Sequence, residues 1–414
     1  MNKALLGVGF FIMVVGTSIL IYMTIKAEGS KEETSDSVKK ILLNFLQMVS
    51  LAAGLPLQWP AELVTMFDGM STLSSAGSSL LIPDCELTHF RPADAFYMKQ
   101  IGFTFAVPVI VAVCGIAWII IMGTCAKACR LRTKELKNYF ILSVVLILFL
   151  FYPMLVRLTL SMLKCPWIGT ARYLMADLQE PCFAEGSRHV HYVLLLTLPQ
   201  IIFYVIGLPL AATLIIVKTS TLRLKTSPSF KMRYGLLYIG YRDGREWWEI
   251  VIAIRKVAVV AIGTFGTLFR AVDLQAFLAL AVVFCAILIH LIGSPYDLTR
   301  PKMRMLHNLE FASLIVCWWT FWGGLIFFLG PTVVSKEVSV VMTVCILCTN
   351  FVFTMIATLI FGKEFVRETL EKKKNIGPRR TLQESELEAI APSQKQNVKN
   401  TKVLPTMDAV KDWK

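Results

Sequence analysis

The residues with the most chemistry to offer are charged side chains inside apolar runs. Glu249, Arg255 and Lys256 lie in the run 248–269, with Glu246 just ahead of it, and Glu310 opens the run 308–329. An ionisable group at the middle of a bilayer is expensive and therefore rare, and where it occurs it pairs, gates or marks an ion path. Glu249 and Lys256 are seven residues apart, which sets both on one face of a helix. With Glu246 and Arg255 they form a compact cluster at the inner third of a membrane, and Glu310 enters from the same side as a candidate partner. The cluster reads either as an interhelical clamp or as a gating and coupling element, and we carry these five residues forward as the candidate site.

Other polar groups offer less. His189 and His191 form an HxH near Asp177, Glu180 and Glu185. Two imidazoles and three carboxylates suit a divalent cation or proton sensing, but the stretch also reads as an ordinary polar loop, and we assign no metal to it. His290 and Asn350, isolated in apolar runs, are expected to donate interhelical hydrogen bonds. No GxSxG, HExxH, P-loop, strand-linked GxGxxG or CxxC pair occurs. No cofactor is implied, and no constellation supplies a nucleophile, base or metal set, so we expect no enzyme.

These residues need elements to hold them, and the composition says which. Of 414 residues, 56% are hydrophobic and 17% charged, with a mean hydropathy of +0.63. Soluble domains carry about 45–50% apolar and about 25% charged residues, so a polytopic membrane protein is the class that remains. The net charge of +14 comes from Lys and Arg at the ends of apolar runs, which fits cytosolic loops facing anionic lipid. No zinc-finger spacing or basic–aromatic alternation points to a nucleic-acid partner.

A helix crossing about 30 Å of hydrocarbon needs about 20 mostly apolar residues. Eight runs meet that length: 4–25, 100–124, 139–163, 192–217, 248–269, 273–293, 308–329 and 338–361. A ninth, 41–59, is weakened by Asn44, Gln47, Ser50, Gly54 and Pro56. The expected fold is thus an all-α helix bundle of nine transmembrane helices, or eight if 41–59 is re-entrant. Lys and Arg concentrate in the loops 125–138, 218–247 and 294–307, which places these loops and the C-terminal tail in the cytosol. With nine helices Met1 lies outside; with eight it lies inside. Residues 1–362 form the multi-pass domain, and 363–414 a basic tail expected to be disordered beyond Gly377-Pro378. Pro108, Pro153, Pro199 and Pro209 are candidate kinks, the broken-helix feature of a lipid or solute transporter, which stands with a non-conducting membrane receptor or scaffold as an alternative to a channel.

The stretch 233–248 carries Tyr238, Tyr241, Trp247 and Trp248 among basic neighbours, the pattern of an interfacial helix with an aromatic belt. The hydroxyl-rich stretch 71–79 reads as a polar re-entrant or as a loose outer loop. Lys372, Lys373, Lys374, Arg379 and Arg380 follow the last run closely and suit anionic lipid. Cys165 and Cys182 close a short loop on the outer side, where disulfides form, with Cys85 the competing partner. Cys125 and Cys129 lie at the inner edge, as plain thiols or palmitoylation sites.

Set in order, several short motifs resemble the transmembrane region of the TRP-like (polycystin-like) multi-pass proteins of protists and fungi. They are Lys40-Ile41-Leu42-Leu43-Asn44-Phe45-Leu46-Gln47 with Trp59-Pro60, Asp84-Cys85, Tyr152-Pro153 with Cys165, and Tyr173-Leu174 with Asp177 and Cys182. Gly207-Leu208-Pro209 follows, then Gly240-Tyr241-Arg242 leading to Trp247-Trp248-Glu249 and Arg255-Lys256, then Ser294-Pro295-Tyr296 and Asn308-Leu309-Glu310. Each is weak alone; the order and spacing over roughly 40–310 are moderately specific. The resemblance implies nine helices. It also implies an ion channel subunit conducting cations, non-selectively or with calcium, in a eukaryotic plasma membrane or endomembrane. Mechanical or lipid stimuli are often linked to such channels, which are usually tetramers, so a homo-oligomer is implied. Many members carry a large cysteine-rich ectodomain ahead of the first span; here Met1-Asn2-Lys3 precede it, and ectodomain sensing is not carried over.

Overall fold

Most of the described residues are helical in the computed structural model, because most of the chain is apolar runs of membrane length. The structure describes residues 34–74, 89–124, 135–221, 227–268, 272–330 and 333–399, with Ser18, Ile19 and Ile21. The run 4–25 apart from those three residues, most of 71–79, and Cys85, Cys125 and Cys129 lie outside the described residues. Two compact units are distinguished, 1–364 and 365–414.

The helices of the first unit are α1 (Thr34–Leu51), α2 (Ala61–Ser74), α3 (Pro92–Thr104), α4 (Ala106–Thr124) and α5 (Leu136–Ser161). After them come α6 (Arg188–Lys218), α7 (Pro228–Tyr238), α8 (Trp248–Leu268), α9 (Val272–Gly293) and α10 (Pro301–Phe328). The last helix, α11, runs Lys336–Lys399 and crosses from the first unit into the second. Proline at the first helical position starts α3, α7 and α10, where its fixed φ suits a helix and its missing N–H costs nothing.

Among the described residues, six helices are long and apolar enough to cross a membrane: α4, α5, α6, α9 from Leu274, α10, and α11 from Lys336 to Glu371. They correspond to six of the apolar runs. The helices α1 and α8 are not among the six, and nine spans are not established. The backbone of α11 is helical through Lys399, where disorder is the expectation from composition; the segment is rich in Glu, Lys, Gln and Ala, which are good helix formers. The side chains of Lys372 to Lys374, Arg379 and Arg380 lie outside the described residues.

Two elements differ from the sequence reading in an instructive way. The 164–191 loop contains a small antiparallel sheet, β1 (Trp167–Ile168), β2 (Ala171–Leu174) and β3 (Asp177–Pro181), in the order β1-β2-β3. Its strands are too short for an alternating pattern to stand out. The helix α10 begins at Pro301, not near 308, so Glu310 lies about two and a half turns into it instead of opening it. Hydropathy marks where lipid begins, and the helix starts before that point.

The main core forms where α1 meets α2, α8, α10 and α11. Val38, Phe45, Met48, Leu63, Phe67, Phe321 and Ile346 are all fully buried there. In α1, every residue except Asp36 and Leu42 is buried. By contrast, only Cys114 and Trp118 are buried in α4, and Ile116, Ile119 and Ile120 stand exposed. This strongly apolar helix therefore faces outward. The helix with Lys40, Asn44 and Gln47 occupies the interior, where polar groups find partners.

Candidate functional site

Three buried polar contacts, contributed by α1, α8, α10, the segment before α8 and the α9–α10 connection, make the site. In the first, Lys40 Nζ on α1 lies 3.5 Å from Glu249 Oε2 on α8 and 4.0 Å over the Tyr241 ring. Lys40 also donates to the Ile239 carbonyl at 3.3 Å, and the Tyr241 hydroxyl donates to the same Glu249 oxygen at 2.9 Å. In the second, Arg255 Nη1 lies 3.8 Å from Glu310 Oε1, and Tyr296 donates to Glu310 Oε2 at 2.7 Å. In the third, Lys256 Nζ donates to Asn44 Oδ1 and Gln47 Oε1 on α1, each at 2.6 Å. Gln47 passes the chain on, donating from Nε2 to the carbonyls of Ser74 at 3.1 Å and Leu150 at 3.3 Å.

These groups are out of solvent: Lys40 is 2% exposed, Lys256 3%, Arg255 8% and Glu310 2%. Desolvating a charge costs several kcal/mol per ion, offset only by good pairing, so removing one member of a pair harms more than the pair contributes. Close backbone approaches seat the contacts. Gly240 adopts φ +94°, and a side chain there would meet the Ser37 hydroxyl on α1. Glycine thus lets the chain leave α7 and place Tyr241 beneath Lys40. At Gly293 the ring of Trp248 packs where a Cβ would stand.

Of the five residues carried forward, four are brought together, but in a different pairing. Glu249 meets Lys40, not Lys256, although the two share a face of α8. Glu310, expected from the sequence as a partner for the cluster without a named mate, pairs with Arg255. Glu246 sits half-buried in the turn before α8. The aromatic set also divides. Trp247 is partly exposed, beside Arg245, and Tyr238 stacks near Phe230. Trp248 is 2% exposed and packs inward against His290, so it is not an interfacial anchor; Tyr241 belongs to the charged network. Sequence reasoning missed Lys40, Asn44, Gln47 and Tyr296 as partners. The spacing 40, 44, 47 was the available signal, because it puts all three on one helix face.

Beside this network lies an apolar cavity of about 200 Å³ between α5, the second half of α6, α7 and α8. Phe149, Tyr152, Ile216, Tyr234 and Ala253 line it, and Glu249 and Lys256 supply polar groups on its wall.

On the expected outer side, Cys165 and Cys182 form a disulfide. It fixes β3 and the loop after it to the end of α5. His189 is fully buried beside it, with Nε2 donating to the Met162 carbonyl at 3.0 Å. Both sulfurs and His189 Nε2 lie within 4.8 Å of one another, but the sulfurs are bonded to each other and so are not offered as metal ligands. His191 points the other way and bonds the Ser187 carbonyl at 3.1 Å, since residues two apart on a helix face nearly opposite sides. Arg188 bridges Asp94 at 2.6 Å and Glu180 at 2.8 Å. Burial, with the Glu180 carboxylate at 3.3 Å, holds the Tyr97 phenol well above its usual range. This corner is a structural clasp between α3, the sheet and α6. Asn350 and His290 take the interhelical roles expected, to Thr320 Oγ1 at 2.9 Å and to the His307 carbonyl at 3.2 Å.

No family model matches the chain, and no solved structure matches it. The chain is similar to Cysteine repeat modular protein A of Toxoplasma gondii, with 28% identity over 185 residues, which is 42% of this chain. The match spans 6% of that much longer relative.

Proposed function

We propose that this chain is a TRP-like cation channel subunit in which the α1–α8–α10 charge network couples movement at the membrane surface to the pore. The observation that supports this most is that Lys40, Glu249, Arg255, Lys256 and Glu310 are held in an otherwise apolar helix bundle, by partners on helices far apart in sequence. Such groups are costly in a bilayer and are characteristic of conduction and gating elements. In this reading α1, α8 and the run 4–25 also cross, giving nine spans, and the loop 218–247 and the tail are cytosolic. The segment 233–248 is the membrane-surface lever, because it carries Tyr241 directly onto Glu249. The tail residues Lys372, Lys373, Lys374, Arg379 and Arg380 engage anionic lipid. Inorganic cations are the cargo, the working form is a homo-oligomer, and no catalysis is assigned.

The test is reconstitution of the full chain in liposomes with current recorded under stretch, lipid and calcium challenge. Cation current whose stimulus dependence shifts in Glu249→Gln and Lys40→Met is the expected result. Silence of folded wild-type protein under all three challenges overturns the reading. A second reading, a lipid or solute transporter, is favoured by one observation: the cavity beside the network is mostly apolar, with Pro209 in its lining. Slow lipid flux without unitary currents would select it.

A further inference from the structure

We propose that the cavity between α5, α6, α7 and α8 binds a single-chain anionic amphiphile, a long-chain carboxylate, with its headgroup on Lys256 and its tail along the apolar walls. Charge balance carries the argument. The network holds three buried cations and two carboxylates. Lys40 is paired with Glu249, and Arg255 with Glu310. Lys256 is held by the neutral oxygens of Asn44 and Gln47 and lies 5.3 Å from the centre of the Phe149 ring, none of which carries a charge. Among the described residues, it makes no ion pair within 4.0 Å. A buried ammonium without a counter-ion is one of the costliest arrangements in a protein interior.

The missing anion has a place to come from. An ammonium has three donors, and two of these go to the amide oxygens. Lys256 also lines the cavity, so a headgroup entering there reaches it. Glu249 shares that wall and acts on Lys256 through space, but its direct contacts are to Lys40 and Tyr241, which leaves the ammonium without a carboxylate in contact.

The shape narrows the tail. An apolar cavity of about 150 Å³ holds a molecule the size of benzene. The volume here, about 200 Å³, accommodates a stretch of one acyl chain and not two. Phe149, Leu148, Ile216 and Ala253 provide apolar walls, and Tyr234 and Trp247 add a ring with one polar edge each to the lining. Amphiphile binding does not require conduction, so this inference stands or falls separately from the channel reading.

The experiment measures binding, not current. Full-length protein in nanodiscs is titrated with radiolabelled palmitate in neutral buffer, with hexadecanol, hexadecylamine and diacyl phosphatidic acid as competitors. Palmitate is expected to bind at least about tenfold more tightly than hexadecanol, and hexadecylamine to compete least. Lys256→Met should abolish the preference for the carboxylate while Lys256→Arg keeps it. If Lys256→Met does not fold, Ala253→Phe and Ala212→Phe provide the test, because they fill the cavity and leave Lys256 in place; both should weaken palmitate and hexadecanol alike. Equal affinity for palmitate and hexadecanol overturns the proposal. So does palmitate binding unchanged by filling the cavity, or phosphatidic acid competing as well as palmitate.

Discussion

At the scale of single residues, the network gives a sharp expectation about which pairs are coupled. Lys40 and Glu249 are in contact, whereas Glu249 and Lys256 only share a helix face. Lys40→Met or Glu249→Leu alone should each cost about 3–5 kcal/mol, because each strands a buried charge, and the double variant should recover much of that loss. The corresponding cycle for Glu249 and Lys256 should be closer to additive. Thermal unfolding in detergent measures both cycles, and an additive Lys40–Glu249 cycle would show that the contact carries no coupling. The sequence made half of this visible. Three ionisable residues inside one apolar run identify α8 without any structure. Lys40 was hidden because it ends a stretch, 26–40, whose four lysines balance four acids and so read as an indifferent linker. Asn44 and Gln47 were hidden by the opposite effect: their polarity counted against a span, when it was a sign of where the helix sits.

At the scale of elements, hydropathy and burial run in opposite directions here. The strongly apolar α4 is the least buried of the six long apolar helices, and the least convincing run, around 41–59, produced the most enclosed helix. In a bilayer, lipid rewards apolar surface as well as a protein core does, so apolarity alone locates the outer ring of a bundle better than its hub. The same reasoning explains why six runs were legible as helices, why α10 extends past its apolar portion, and why a sheet of short strands between α5 and α6 was not legible at all. That sheet depends on its cross-link. Cys165→Ser should lower stability by about 2–4 kcal/mol, because the bridge closes a loop of modest length. The measurement is the unfolding midpoint with and without reductant: the wild-type protein should fall toward the variant when reduced, and the variant should not respond.

At the scale of the whole molecule, the arrangement of charge predicts sidedness. If the basic loops face the cytosol, Arg242→Cys and Lys231→Cys label only from that side, and Ser187→Cys, near the disulfide-bearing sheet, labels only from the other. Labelling of 231 and 242 from the outside would invert the topology on which the coupling argument rests. One further feature concerns how the bundle tolerates change in length. Within Arg188–Lys218, two π-helical stretches, Val193–Thr197 and Ile201–Ile206, flank Leu198–Gln200. A π-turn accommodates one residue more than an α-turn does, so this rod stores slack at two places along its length. Deleting one residue between 201 and 206 should tighten the wide turn to ordinary α-helix and leave the ends in phase. Deleting one residue from the regular middle of α5 instead rotates everything beyond it by about 100°. Paired deletion variants compared for yield of folded protein would reveal the difference. They would also identify α6 as the rod able to twist by one position while its neighbours hold still.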